Sequence, residues 1–314
     1  MRGTRRPPKT MLTAAACLAA VGTATAVPVA ATAATAASAT TTSICTSTKH
    51  PFIAAKISAG IKAALATRPG SFVGLAADVP VDGLSCQLNN TNHFYAASVM
   101  KVTILSALLM KVGGPRHLTA TQKSLATAMI TQSSNSAAQT LWEEVGISHV
   151  QDFLNKAGMS ETQINNAWGL TLITAHDELR LMQVLTDSTV LNSASRGYVL
   201  TLMSEVIASE RWGISAGAPS VEKLHIKNGW LPYPGAADWN INSVGTFTGP
   251  VNYDIVILTA PPSLSQGQSE TYGIDTIQSA ATVFNRDLAL WSHISGITQP
   301  PKAPSANTLH APGG

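Results

Sequence analysis

Charge, aromatic rings and sulfur are all scarce in this chain. Only 12% of its 314 residues are charged, 5% are aromatic, and three are cysteine. Three cysteines exclude a disulfide-dense scaffold, and their positions leave no zinc-ligand pair. The eight histidines form no H-E-x-x-H spacing, so neither a metal nor a cofactor is expected from motif. No glycine-rich phosphate loop is present, and beyond the first 39 residues no apolar run approaches the ~20 residues a membrane-spanning helix needs.

The N-terminal stretch reads as an export signal. Arg2, Arg5, Arg6 and Lys9 precede the apolar run "MLTAAACLAAVGTATAVPVA", and small residues follow, with cleavage expected after Ala26, Ala34 or Ala39. Pro7 and Pro8 depart from a twin-arginine pattern, so general secretion is favoured, and Cys17 lacks the upstream context of a lipoprotein. Residues 1–39 hold four of the 20 basic residues and none of the 17 acidic ones. The processed chain is therefore near neutral, and nucleic acid is excluded as a partner. The expectation is a secreted monomer, extracellular or at the cell wall, that does not associate with a membrane after processing. Cys45 and Cys86 remain in an oxidising context and are expected to pair, joining the segment before the first helix to an early strand; two buried thiols are the alternative.

Periodicity then sets the architecture. Residues 51–67 are helical, and 71–79 and 84–89 form a hairpin across "PVDG". Helices follow at 98–112, 119–131, 135–145, 147–157, 174–187 and 195–209. Three strands come next, at 221–229, 240–249 and 253–260, with a closing helix at 273–291. Strands at both ends with helices between them predict an α+β fold: an antiparallel sheet flanked by helices, with an inserted all-helical lobe. The domain is expected over 40–298, with a sheet lobe at 40–97 and 210–298 and a helical lobe at 98–209. Residues 299–314, "PKAPSANTLHAPGG" among them, are expected to form a disordered tail.

Within "FYAASVMKVTIL" (94 to 105) a lysine is embedded in an apolar helix. Ser98 and Lys101 are one turn apart on the same face, where a buried amine with a lowered pKa can take a serine proton. Snorkelling of Lys101 and simple capping by Ser98 are the bland alternatives. Ser220 and Lys223 repeat the spacing, so the spacing alone does not decide. Only Ser98 is followed in order by Ser133-Ser134-Asn135 between helices and by Lys227-Asn228-Gly229 on a strand. A second serine motif, Gly213-Ile214-Ser215-Ala216-Gly217 with Asp254 and His293 downstream, matches G-x-S-x-G. It lacks the strand that such an elbow requires.

The ordered set resembles the signatures of the penicillin-recognising serine hydrolases, most closely the class A β-lactamases: S-x-x-K, S-D-N and K-T-G. The likeness extends over roughly residues 50 to 290. It implies Ser98 as acylated nucleophile, Lys101 as its base, Ser133 as proton relay and Lys227 as the cation supporting Ser133 and a substrate carboxylate. It implies Asn135, Asn228, Gly229 and Trp230 as substrate-binding, with the backbone N–H groups of Ser98 and Trp230 as oxyanion hole. The implied substrate is a β-lactam or a peptidoglycan-type D-Ala-D-Ala amide. A secreted binding protein with the same fold and little turnover is the second reading. Three departures stand out. Ser134 replaces an aspartate, and Asn228 replaces a threonine or serine. The loop that carries the family's deacylating glutamate is missing; Glu161 and Asn165 have its four-residue spacing but read as the segment before it. Trp230 and Tyr233 are candidates to wall the cleft, or else to cover the sheet edge.

Overall fold

A computed structural model describes residues 43–232 and 239–292. The expected export segment, Tyr233, His293 and the proline-rich tail lie outside the described residues. In chain order the elements are β1 (Cys45–Ser47), α1 (Pro51–Ala66), β2 (Phe72–Val79), β3 (Leu84–Leu88), β4 (Phe94–Tyr95), α2 (Met100–Val112), α3 (Ala120–Thr131), α4 (Asn135–Val145), α5 (Ile147–Ala157), β5 (Leu172–Ile173), α6 (Ala175–Thr186), α7 (Ser193–Ser204), β6 (Lys223–Pro232), β7 (Trp239–Thr248), β8 (Tyr253–Ala260) and α8 (Gln266–Trp291).

The main sheet has the order β1-β3-β2-β8-β7-β6 and is antiparallel throughout. Its centre is the β2–β8 pair, running from Phe72↔Ala260 to Asp78↔Asp254. Sequence-distant strands thus close one sheet, and helices α2 to α7 form the insertion between them. The sheet is covered on both faces, so its central strands read as near-continuous apolar runs. On β8, Ile255 and Ile257 join the core shared with α1 and α8, whereas Val256 and Leu258 join the core of the helical insertion. This is the period-two alternation of a strand buried on both sides.

A disulfide joins Cys45 on β1 to Cys86 on β3. Among the helices, α2 is the hub: every residue from Met100 to Leu109 is buried. Side-chain caps start the surrounding helices, with a Thr119–Gln122 capping box on α3, Ser134 on α4, Thr174 on α6 and Asn192 on α7. Each oxygen satisfies a backbone N–H that the first helical turn leaves unpaired. No helix among the described residues is long and apolar enough to cross a membrane.

Candidate active site

Ser98 sits in the 3-10 turn of residues 97–99 that leads into α2, and it is buried. Ala97, immediately before it, takes a left-handed backbone with φ of 49°. That conformation is costly for a residue with a Cβ, so the surroundings must impose it. They do so from β7 and from the segment before β5. Asn240 Oδ1 accepts from the Tyr95 N–H at 2.8 Å, and Asn242 Nδ2 donates to the carbonyls of Tyr95 and Ala96 at 2.8 and 3.1 Å. The Ala96 N–H donates to the Thr171 carbonyl at 2.8 Å.

Lys101 is fully buried, and its Nζ lies among four oxygens. They are Ser98 Oγ at 2.8 Å, the Ser133 carbonyl at 2.6 Å, Ser133 Oγ at 3.2 Å and Asn135 Oδ1 at 2.7 Å. The Ser133 carbonyl and Asn135 Oδ1 are acceptors only. A neutral amine spends its two N–H bonds on these and turns its lone pair toward the Ser98 hydroxyl. Burial pushes the Lys101 pKa down to about 6; Lys227 acts in the same direction and Glu210 opposes them. The face of Trp168 lies 5.0 Å from Nζ. A ring face favours the charged amine, but the desolvation it helps create is the dominant influence.

Ser133 also has a left-handed backbone, with φ of 56°. Its hydroxyl accepts from Lys227 Nζ at 2.8 Å, so it bridges the two amines. Lys227 is fully buried on β6, where its Nζ also donates to the Asn228 carbonyl at 3.0 Å and meets Glu210 Oε2 at 3.4 Å. Burial lowers its pKa and Glu210 raises it. Of the two amines, Lys227 meets the Glu210 carboxylate directly, whereas Lys101 feels it only at longer range.

Edge strand β6 runs against the turn that carries Ser98. A Cβ placed on Gly229 would lie 2.7 Å from the Ser98 nitrogen, 2.8 Å from that of Val99 and 3.0 Å from the Ala96 carbonyl oxygen. Only glycine permits this approach, which brings the strand backbone beside the serine. Trp230 follows it, buried and tilted against Trp212 at a centroid separation of 5.8 Å. The neighbouring cleft, about 790 Å³ in volume, is lined by Asn135, Gln139, Trp168, Leu170 and Leu231 among others. Its described lining carries no carboxylate.

The structure thus brings Ser98, Lys101, Ser133, Asn135, Lys227 and Gly229 together. Asn228 is placed differently: its Nδ2 donates to the carbonyls of Glu210 and Trp212 at 2.8 and 2.9 Å. The side chain ties down the segment after α7 instead of pointing among the other polar groups. Ser134, where the family pattern has aspartate, is the N-cap of α4, its oxygen accepting from the Ala137 N–H at 3.3 Å. That leaves Ser133 and Asn135 to Lys101. Ser220 and Lys223 fall outside any such constellation, Ser220 in a turn and Lys223 exposed at the start of β6. Ser215 also lies in a turn and its hydroxyl is spent on the Arg211 carbonyl, so no strand-to-helix elbow forms around it.

Sequence patterns did not reveal Glu210 or the approach of Trp168 to Lys101. Glu161 Oε2 accepts from Thr174 Oγ1 at 2.6 Å and faces His176, at the start of α6. The part of the chain that reaches the serine is instead 167–170, where the Cβ position of Gly169 comes within 3.9 Å of the Ala97 Cα.

The model of the β-lactamase enzyme family matches residues 113–286, more than half of the chain. The chain belongs to the β-lactamase family. The matched span begins after Ser98 and Lys101, so for these two the geometry stands on its own. Among solved structures, this β-lactamase-family chain is similar to a mutant of PBP-A in an acyl-enzyme complex with penicillin G. Identity is 18%, with 74% of this chain and 96% of that one covered at a TM-score of 0.63. A class A β-lactamase from Bacteroides cellulosilyticus DSM 14838 is likewise 18% identical, covering 74% and 97% at 0.63. A β-lactamase from Sphaerobacter thermophilus DSM 20745 is 20% identical, covering 75% and 97% at 0.61. No match was found among curated protein sequences. These likenesses establish the fold as that of the penicillin-recognising serine hydrolases.

Proposed function

We propose that this chain is an exported serine hydrolase, extracellular or at the cell wall, that forms an acyl-enzyme on Ser98. The observation that carries the reading is the position of Lys101 Nζ, 2.8 Å from Ser98 Oγ and against two acceptor-only oxygens: a neutral amine with both N–H bonds on those oxygens keeps its lone pair for the Ser98 hydroxyl. As Ser98 Oγ attacks a carbonyl carbon, its proton passes to Lys101 Nζ. The oxyanion is held by the backbone N–H groups of Ser98 and Trp230, a reading supported by the close approach of β6 to the Ser98 turn at Gly229. Lys101 then returns a proton through Ser133 Oγ to the departing nitrogen, the C–N bond breaks, and an ester to Ser98 remains. Lys227 holds the Ser133 hydroxyl for this transfer, and Asn135 holds Lys101.

The substrate class is an amide of the β-lactam or D-Ala-D-Ala type. Hydrolysis of the ester needs a water and a base, and a positioned base contributes 10²- to 10⁴-fold, or ~3 to 5 kcal/mol. With no carboxylate in the described lining of the cleft, Glu161 engaged by Thr174 and Glu210 paired with Lys227, the acyl-enzyme persists. The test is intact-protein mass spectrometry after incubation with a penicillin and, separately, a fluorophosphonate, together with nitrocefin kinetics. The expected result is an adduct mapped to Ser98 and a burst followed by slow turnover. Absence of an adduct with either reagent overturns the hydrolase reading in favour of a binding protein of the same fold, and fast steady-state turnover overturns the persistence of the ester.

A further inference from the structure

Away from the serine, Glu161, His176 and Asp177 each offer one ligand atom, and these atoms lie within 4.8 Å of one another. Glu161 Oε2 is 3.4 Å from His176 Nδ1, which is 3.7 Å from Asp177 Oδ1. Asp177 is fully buried, and its two oxygens are treated very differently. Oδ2 accepts from the N–H groups of Glu161 and Thr162 at 2.9 and 2.7 Å and from Thr162 Oγ1 at 2.7 Å. Oδ1 has no hydrogen-bond partner among the described residues, and neither has His176 Nδ1, although both atoms are shut off from solvent. At 3.7 Å they are too far apart to satisfy each other. Leaving two such atoms unpaired is unfavourable, and more so where one is charged.

A cation between them satisfies both. A tetrahedral ion with bonds of about 2.0–2.2 Å sets its ligands roughly 3.3–3.6 Å apart, close to the separations of His176 Nδ1 from each carboxylate. One imidazole nitrogen and two carboxylate oxygens suit zinc and its neighbours better than calcium or magnesium. Thr174 Oγ1 donates to Glu161 Oε2, and the His176 backbone N–H donates to the Asn90 carbonyl at 2.9 Å. The first contact orients the Glu161 carboxylate, and the second fixes the backbone from which His176 projects. We propose that Glu161, His176 and Asp177 bind one divalent ion of the zinc class, with water completing its coordination. Glu161 lies before, and His176 with Asp177 after, the segment that brings Trp168 to Lys101. The ion therefore staples both ends of that segment. Motif reading missed the site because Glu161 lies 15 and 16 positions before His176 and Asp177, across a segment that has no regular period.

The test titrates chelator-stripped protein with zinc chloride by calorimetry, measures metal content by elemental analysis, and records the visible spectrum after cobalt(II) substitution. One ion per chain, a raised unfolding temperature and a tetrahedral cobalt spectrum are expected. His176→Gln and Glu161→Gln weaken binding by more than about tenfold, while His117→Ala, at an exposed site, leaves it unchanged. Fluorophosphonate labelling of Ser98 in each variant checks that the fold persists. Failure of the parent protein to take up stoichiometric zinc, or equal affinity in the two ligand variants, overturns the proposal. Because the readout is metal content, either result leaves the hydrolase reading standing.

Discussion

Acidifying the protein from pH 8 to pH 5 should slow acylation of Ser98 about tenfold, and the size of the effect follows from one buried amine. Lys101 has its pKa lowered to about 6 by burial, with Lys227 contributing in the same direction. At pH 8 nearly every amine is then neutral and can accept the serine proton; at pH 5 roughly one in ten can, and each further unit of acid removes another factor of ten. An ordinary lysine near 10.4 would instead make acylation climb steadily through pH 8 and 9 with no plateau. The assay is the pseudo-first-order rate of fluorophosphonate or penicillin adduct formation, followed by quenched-flow mass spectrometry from pH 4.5 to 9. A plateau above pH 7 with a unit-slope acid limb centred near 6 is expected. A rate that is flat down to pH 4.5, or that rises only above pH 9, refutes the assignment of Lys101 as the neutral base. Lys101→Ala in the same assay should lose far more than tenfold, since tenfold is only ~1.4 kcal/mol of barrier.

Three further outcomes can be checked. Glu210 raises the pKa of both Lys101 and Lys227, so Glu210→Gln should move the acid limb to lower pH; a limb that stays put or moves upward contradicts this electrostatic picture. Gly229→Ala must push β6 away from the Ser98 turn, where the added Cβ would lie 2.7 Å from a backbone nitrogen. Acylation should fall by about 10²-fold or more, as for loss of an oxyanion donor, at a cost in stability of about 1–3 kcal/mol, and near-parental rates would show that the backbone approach is not needed. The disulfide closes a sequence separation of 41 residues. Restricting the unfolded chain in this way contributes about 4 kcal/mol, so a Cys45→Ala/Cys86→Ala variant within 1 kcal/mol of the parent in urea denaturation would count against that estimate.

Much of the fold was legible because its elements are long and strongly patterned. Strand 253–260 agrees with β8 at both ends, and the helices at 135–145 and 147–157 agree with α4 and α5. Where expectation and structure part, the cause is local. The closing helix starts at Gln266 instead of 273, taking Gly267 and Gly273 into its first two turns. Gly273 is in fact a packing residue, since a Cβ there would lie 2.5 Å from Ile241. β6 continues to Pro232 because Trp230 to Pro232 still pair with Ile241 to Trp239, a tertiary fact with no local signal. Helix α7 runs from Ser193 to Ser204 because Asn192 caps it, earlier than apolar spacing alone indicates. β1, β4 and β5 have only two or three residues and no period to read. The serine, lysine and asparagine of the site were readable because they sit at fixed offsets on helices. Glu210 and Trp168 act across space from turns, where the residue type carries no positional signal.

The pairing of β2 with β8 has a consequence for how such a chain can be handled before it is folded. Phe72 must find Ala260 across nearly 190 residues of sequence, a high-separation contact whose loop-closure entropy has to be met before the pairing returns anything. A chain emerging N-terminus first therefore holds β2 and β3 as an unfinished edge until β8 arrives, while the helices between them can gain structure locally. For the export proposed above this delay is useful: the sheet cannot lock before transit is complete. It also marks the hazard, because an exposed edge waiting for a late partner is open to pairing with another chain. Truncations that remove β8 are therefore expected to aggregate and not merely to lose activity.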